Sequence, residues 1–145
     1  WHLLILAVLE TQLNLRQRML VFFSKRVYKM TKITIYHNPR CSKSRQALDL
    51  IKSKGLEPEV IHYLQTIPSK DELKDILNKL NINPIDLVRK GEQAYKDHTK
   101  SRKTLADQEI ITMLHEFPKT IERPIIIKNN KAIIARPPER VLDFI

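Results

Sequence analysis

The sequence holds one cysteine, Cys41, in the run HNPRCSKSR. It follows a short β-branched segment (ITIY) and opens a stretch with helical spacing. At a helix start the open backbone N–H groups and the positive dipole end favour an anion. A thiol there gives up its proton more readily than an ordinary one, at ~8.5, and the thiolate is the nucleophile. Arg40, Lys43 and Arg45 add positive charge. His37 lies four residues upstream, and the hydroxyl of Ser44 is expected to donate to the sulfur or to a bound anion. The alternative is a small buried hydrophobe, common for free cysteines. The polar, basic, turn-rich setting favours the reactive thiol.

Other chemistries are excluded by count and spacing. One cysteine permits neither an internal disulfide nor a multi-cysteine metal cluster. The spacing Cys41 to Arg45 is C-x3-R, which is not the phosphatase loop, and position 44 holds Ser where a dithiol motif needs a second thiol. Gly55 and Gly91 stand too far apart for a Walker loop or a dinucleotide fingerprint. His37, His62, His98 and His115 are too scattered to propose zinc, and the last three are expected to be satisfied or solvent-facing imidazoles. Arg89, Arg123 and Arg136 are candidates for an oxyanion grip, because the guanidinium fork matches tetrahedral oxyanions bidentately. Arg123 and Arg136 each precede a proline, which restricts their backbone.

The elements that position these residues read as β-α-β, a helical insert, then β-β-α. Lys32–Tyr36 alternates as a strand and breaks at His37-Asn38-Pro39. Ser44–Lys54 reads as a helix closed by Gly55, and Glu59–Tyr63 as a second strand. Ser69 and Glu72 have capping-box spacing ahead of Leu73, Ile76, Leu77 and Leu80. A short helix runs from Pro84 through Val88, and residues 91–103 read as an exposed loop. Ile110, Met113, Leu114 and Phe117 mark another helix, stopped by Pro118. Ile125–Lys128 and Ala132–Ala135 flank Asn129-Asn130 as a hairpin, and Val141, Leu142 and Ile145 lie on a last helix. This order predicts an α/β fold, a mixed sheet with helices on its faces.

Of the 145 residues, 26 are Lys or Arg and 16 are Asp or Glu. The first 29 carry Arg16, Arg18, Lys25, Arg26 and Lys29 against Glu10 alone. The apolar run Leu3 to Leu9 is far short of the ~20 residues a membrane span needs, and its flanks do not suit a signal peptide. A transit segment is the weaker alternative. Residues 1–29 are therefore expected to be an extension, non-native or disordered, before a domain at 30–145 that starts at Met30. No nucleic-acid module or basic–aromatic platform accompanies the basic charge.

The segment ITIYHNPRCSKSR (33–45) resembles the active-site loop of the bacterial glutaredoxin-linked arsenate reductases. The resemblance continues through SKDELKDIL, PIDLVRKG, IERPIII and ARPPERVLDFI. It implies a thioredoxin-like fold with a helical insertion, and a cytoplasmic enzyme with no bound cofactor and no metal. Its substrate would be arsenate, with glutathione as co-substrate and glutaredoxin as partner. Carried across, Cys41 would be the nucleophile, and Arg89, Arg123 and Arg136 would hold the oxyanion. His37 and Ser44 would tune the thiolate, and the Arg123-Pro124 bond would be cis. Ser42 and Lys43 stand where the plasmid-type enzymes carry Gly and Thr, so CSKSR looks more like a chromosomal branch. A related group of thioredoxin-fold regulators binds RNA polymerase and senses oxidation through C-x-x-C. Ser44 removes that switch here.

Overall fold

In the computed structural model, residues 14–30 and 32–145 are described. The chain divides into two units, Trp1–Lys32 and Ile33–Ile145. In the first, Leu15–Met30 forms helix α1. The Asn14 side chain accepts from the Gln17 N–H at 3.0 Å and Gln17 reciprocates at 3.3 Å, which satisfies two open donors of the first turn. His2 and the apolar run Leu3 to Leu9 lie outside the described residues.

The second unit is built on a four-stranded sheet of order β2-β1-β3-β4. The strands are β1 (Ile33–His37), β2 (Glu59–His62), β3 (Ile125–Lys128) and β4 (Lys131–Ile134). β1 runs parallel to β2 and antiparallel to β3, which pairs antiparallel with β4. The hairpin has the expected two-residue turn, with Asn129 at φ 55° between the pair Lys128 and Lys131. The parallel pair needs a crossover, supplied by helix α2 (Ser42–Ser53). Lys54 caps α2 and Gly55 follows at φ +74°, a left-handed conformation in which a Cβ would be strained.

Strand alternation sends side chains to two cores. On one face Ile33, Ile35 and Ile126 pack with Ala47 and Ile51 of α2 and with Val141 of the last helix, α6 (Arg140–Phe144). On the other, Ile125 packs with Leu73, Ile76 and Leu77 of α3 (Lys70–Leu80) and Ile110, Met113 and Leu114 of α5 (Asp107–Glu116). Each Ile, Leu, Met or Val among them contributes about 1.5–3 kcal/mol on burial, so the two cores carry the fold. The helical insert thus covers the face that α2 leaves bare. This is a mixed α/β sheet of thioredoxin-like form.

One expectation is corrected. Residues 91–103 are not wholly loop: Gln93–His98 forms a short helix, α4. Periodicity does not reveal it, because only Ala94 and Tyr95 are apolar and only Tyr95 packs on the core. Local polar bonds hold it instead, Gln93 to Asp97 at 2.9 Å and the His98 ring to the Ala94 carbonyl at 2.7 Å.

The start of α3 is the capping box as read: the Glu72 N–H reaches Ser69 Oγ at 3.1 Å, and Glu72 Oε2 accepts from the Ser69 N–H at 2.9 Å. Ser69→Ala is expected to cost about 1 kcal/mol of unfolding free energy, read as a lower urea midpoint at unchanged slope. An unchanged midpoint would remove the cap from the account of α3.

Candidate active site

The site begins where β1 ends. His37 is buried as the last residue of the strand, and Asn38-Pro39-Arg40 turn the chain into α2. The turn closes on itself: Cys41 N–H donates to the Asn38 carbonyl and Arg40 N–H to Asn38 Oδ1, each at 3.0 Å. From outside, Arg45 Nη1 donates to the Pro39 carbonyl at 2.7 Å. Cys41 is thereby the N-cap residue of α2, in extended conformation, with a partly exposed thiol.

Ser44 departs from its expected part. Its hydroxyl, 0% exposed, accepts from the Asn38 N–H at 3.0 Å and lies 2.8 Å from His37 Nδ1. The group of Ser44 that serves the sulfur is its backbone N–H. His37 is tied to Ser44 and edge-on to the exposed His62 ring, with centroids 5.7 Å apart. Burial, and after it the His62 ring, hold the His37 imidazole below its ordinary value, so it is neutral at pH 7. His37 therefore braces the loop and brings no charge to it.

At Cys41, partial burial pushes the thiol up, since it disfavours the charged form. The Ser44 N–H, the Arg123 guanidinium and the Lys43 N–H oppose it and together win, so the thiol lies below its ordinary value. The three arginines divide. Arg123 is beside the sulfur, and its Nη1 donates to the Lys119 carbonyl at 3.2 Å. Arg136 is exposed and donates to the Arg123 carbonyl at 3.2 Å, so it meets the site through that backbone. Arg89 is ion-paired to Glu92 at 2.6 Å.

What joins the arginine segments is a bridge that periodicity does not show. Val88 pairs antiparallel with Ile121. Arg89 N–H donates to the Thr120 carbonyl at 2.7 Å and Glu122 N–H to the Leu87 carbonyl at 2.8 Å. The bonds before Pro124 and Pro137 are both cis, the first as the resemblance implies. Beside the loop opens a cleft of about 690 Å³, lined by His37, Arg40, His62, Glu92 and Lys119 among others. Three residues of the site carry no sequence signal for their part in it. They are Tyr63, whose buried hydroxyl faces the Arg89 and Arg123 charges; Asn38, legible only as a turn; and Glu92, the partner of Arg89.

His98 and His115 are satisfied imidazoles as expected, His115 on the Pro68 carbonyl at 2.7 Å. Among the described residues no group of three or more His, Cys, Asp or Glu is placed to hold a metal ion. None of their helices is long and apolar enough to cross a membrane.

The balance at the thiol has a measurable sign. Cys41 alkylation by iodoacetamide should follow a pH midpoint below the ~8.5 of an ordinary thiol. Arg123→Ala, which removes the nearest positive charge, should move that midpoint upward. A variant midpoint equal to the wild-type one would mean the backbone N–H groups suffice.

Comparison with known proteins places this geometry. The chain is 40% identical over 113 residues to the arsenate reductase of Neisseria meningitidis serogroup A, covering 77% of this chain and 97% of that one. It is 45% identical over 118 residues to the uncharacterized protein YfgD of Escherichia coli K12, covering 80% and 99%. The solved arsenate reductase of Vibrio cholerae superposes with a TM-score of 0.75 at 41% identity, over 79% of this chain and 98% of that one. The ArsC family model matches residues 36–144, from the end of β1 through the last helix. Loop, helical insert and both arginine–proline segments all fall inside that match, and the chain belongs to the ArsC family.

Proposed function

We propose that this chain is a glutathione- and glutaredoxin-dependent arsenate reductase whose nucleophile is Cys41. The observation that carries the reading is the Arg123 guanidinium set beside a thiol at the start of a helix, so that one cation serves both thiolate and incoming oxyanion. Relatives that bear the name arsenate reductase supply the substrate.

In the first step the Cys41 thiolate attacks the arsenic. An S–As bond forms and an As–O bond breaks, and the leaving oxygen takes a proton and departs as water. Arsenic is still pentavalent. The negative charge of the adduct falls where Arg123 and the α2 N–H groups are already oriented, which lowers the barrier without reorganisation. Arg89 joins by exchanging its Glu92 carboxylate for an oxyanion oxygen, and Arg136 fixes the Arg123 backbone and adds charge at the rim.

Reduction to arsenite needs two electrons. With one cysteine in the sequence, two outside thiols provide them. The glutathione thiol attacks the arsenic of the adduct and displaces a second oxygen as water. The glutaredoxin thiolate then attacks the glutathionyl sulfur; that S–As bond breaks with its electron pair left on arsenic, now trivalent, and a mixed disulfide departs. Water cleaves the remaining bond to Cys41, which releases arsenite and returns the thiol. The cleft beside the loop falls in the size range of small-ligand pockets, which suits a tripeptide thiol. A reducing, cytoplasmic compartment fits these co-substrates. The chain needs no bound cofactor or metal for this sequence of steps, and its partners are arsenate, glutathione and glutaredoxin.

The test is arsenate-dependent NADPH oxidation with glutathione, glutaredoxin and glutathione reductase supplied. A saturable rate is expected; none, with Cys41 still readily alkylated at neutral pH, would assign the live thiolate to another substrate. Cys41→Ser should abolish turnover with the fold intact, and residual wild-type activity would end the nucleophile assignment. Arg123→Lys keeps the charge and loses the fork, so kcat/KM should fall by at least about tenfold. Normal kinetics in that variant would make Arg123 structural only.

A further inference from the structure

Two buried side-chain atoms among the described residues have no hydrogen-bond partner, Tyr63 Oη and Arg123 Nε. They belong to one neighbourhood. Tyr63 directly follows β2, whose His62 is in register with His37 at the end of β1, so it lies beside the point where the thiol loop leaves the sheet. Its side chain is 1% exposed and belongs to the same core cluster as Val88 and Ile121, the two residues of the bridge that joins the Arg89 and Arg123 segments.

Leaving a buried polar atom unpaired is unfavourable, because it has given up water and gained no partner, so two in one place need a reason. Arg Nε only donates, and a protonated phenol donates as well. Burial keeps the Tyr63 phenol above its ordinary value even though Arg123 and Arg89 pull it down, so it holds its proton at neutral pH. The Arg123 and Asn38 side chains lie close to the phenol oxygen without completing a hydrogen bond, so what Tyr63 has left to offer is its O–H. That O–H and Arg123 Nε call for an acceptor, and the nearby Arg89 and Arg123 charges call for a negative one. Arg123 already stands beside Cys41, so an anion bonded to both donors would lie against the sulfur.

Resting on the oxyanion reading above, we propose that the Tyr63 hydroxyl is a binding donor for the tetrahedral oxyanion at Cys41, acting together with Arg123 Nε. Tyr63 fixes one oxygen by a neutral hydrogen bond while the arginines carry the charge. This neutral donor gives the site a directional contact that does not depend on ionic strength.

The experiment is protection of Cys41 from iodoacetamide by inorganic arsenate, in wild type and in Tyr63→Phe, which removes one oxygen atom and keeps the ring. Arsenate should slow alkylation of the wild type. In Tyr63→Phe the concentration for half-protection should rise about ten- to a hundredfold, as for a lost hydrogen bond to a charged group. Its melting temperature and the pH midpoint of unprotected alkylation should stay at the wild-type values. Equal half-protection in the two proteins would overturn the role of Tyr63 and leave the oxyanion site standing. Lost protection together with a raised alkylation midpoint would also overturn it, by making Tyr63 a support for Arg123. Absence of any arsenate protection in the wild type would instead overturn the oxyanion reading, and this proposal with it.

Discussion

The loop depends on one buried hydroxyl. Ser44 Oγ takes the Asn38 N–H and holds the His37 ring, which are the two groups that the end of β1 would otherwise bury without partners. Each unsatisfied group would cost about 1–3 kcal/mol, more than an exposed ion pair on the loop could return. With those bonds made, the chain from Asn38 to Cys41 has one way to turn, and the N–H groups of Lys43 and Ser44 converge on the sulfur. A thiol at position 44 would be a poor substitute, since S–H is a weak donor and sulfur a weak acceptor. The second residue of a dithiol pair and the anchor of this loop are thus competing uses of one position, and this sequence has taken the anchor.

The arginine side of the site rests on a different device. Arg89 and Arg123 are far apart in the chain and sit on segments too short to be read as strands. The Val88–Ile121 bridge, with a backbone hydrogen bond on either side, joins those segments. Val88 and Ile121 themselves, with Leu87 beside them, are apolar and buried, so the polar ends of both arginines emerge from a backbone anchored in the core.

Local signals made most of the fold legible. The alternation of Lys32–Tyr36, the Ser69–Glu72 spacing and the Asn129-Asn130 turn each state their structure within a few residues, and the elements follow to within two residues at their ends. α4 escaped because side-chain hydrogen bonds sustain it where an apolar stripe would normally be the sign. At the site, Cys41 was legible from its place after a strand and before a helix. The direction of the Ser44 hydroxyl was not, because a serine near a cysteine has two uses and only the packed loop chooses. Tyr63 and Glu92 were invisible for a plainer reason: their meaning lies in long-range neighbours, and a lone tyrosine after a strand reads as core.

The neutral His37 has a consequence for how the site keeps account of protons. The cation nearest the sulfur is a guanidinium, which does not lose its proton in water, and the other helpers are backbone amides. The imidazole at the foot of the loop is held out of its charged form. From neutral pH upward the groups that serve the sulfur therefore have a single titrating member, the thiol itself. In that range a drift in acidity changes how many molecules are armed without altering the backbone and guanidinium field that each armed molecule presents to its substrate.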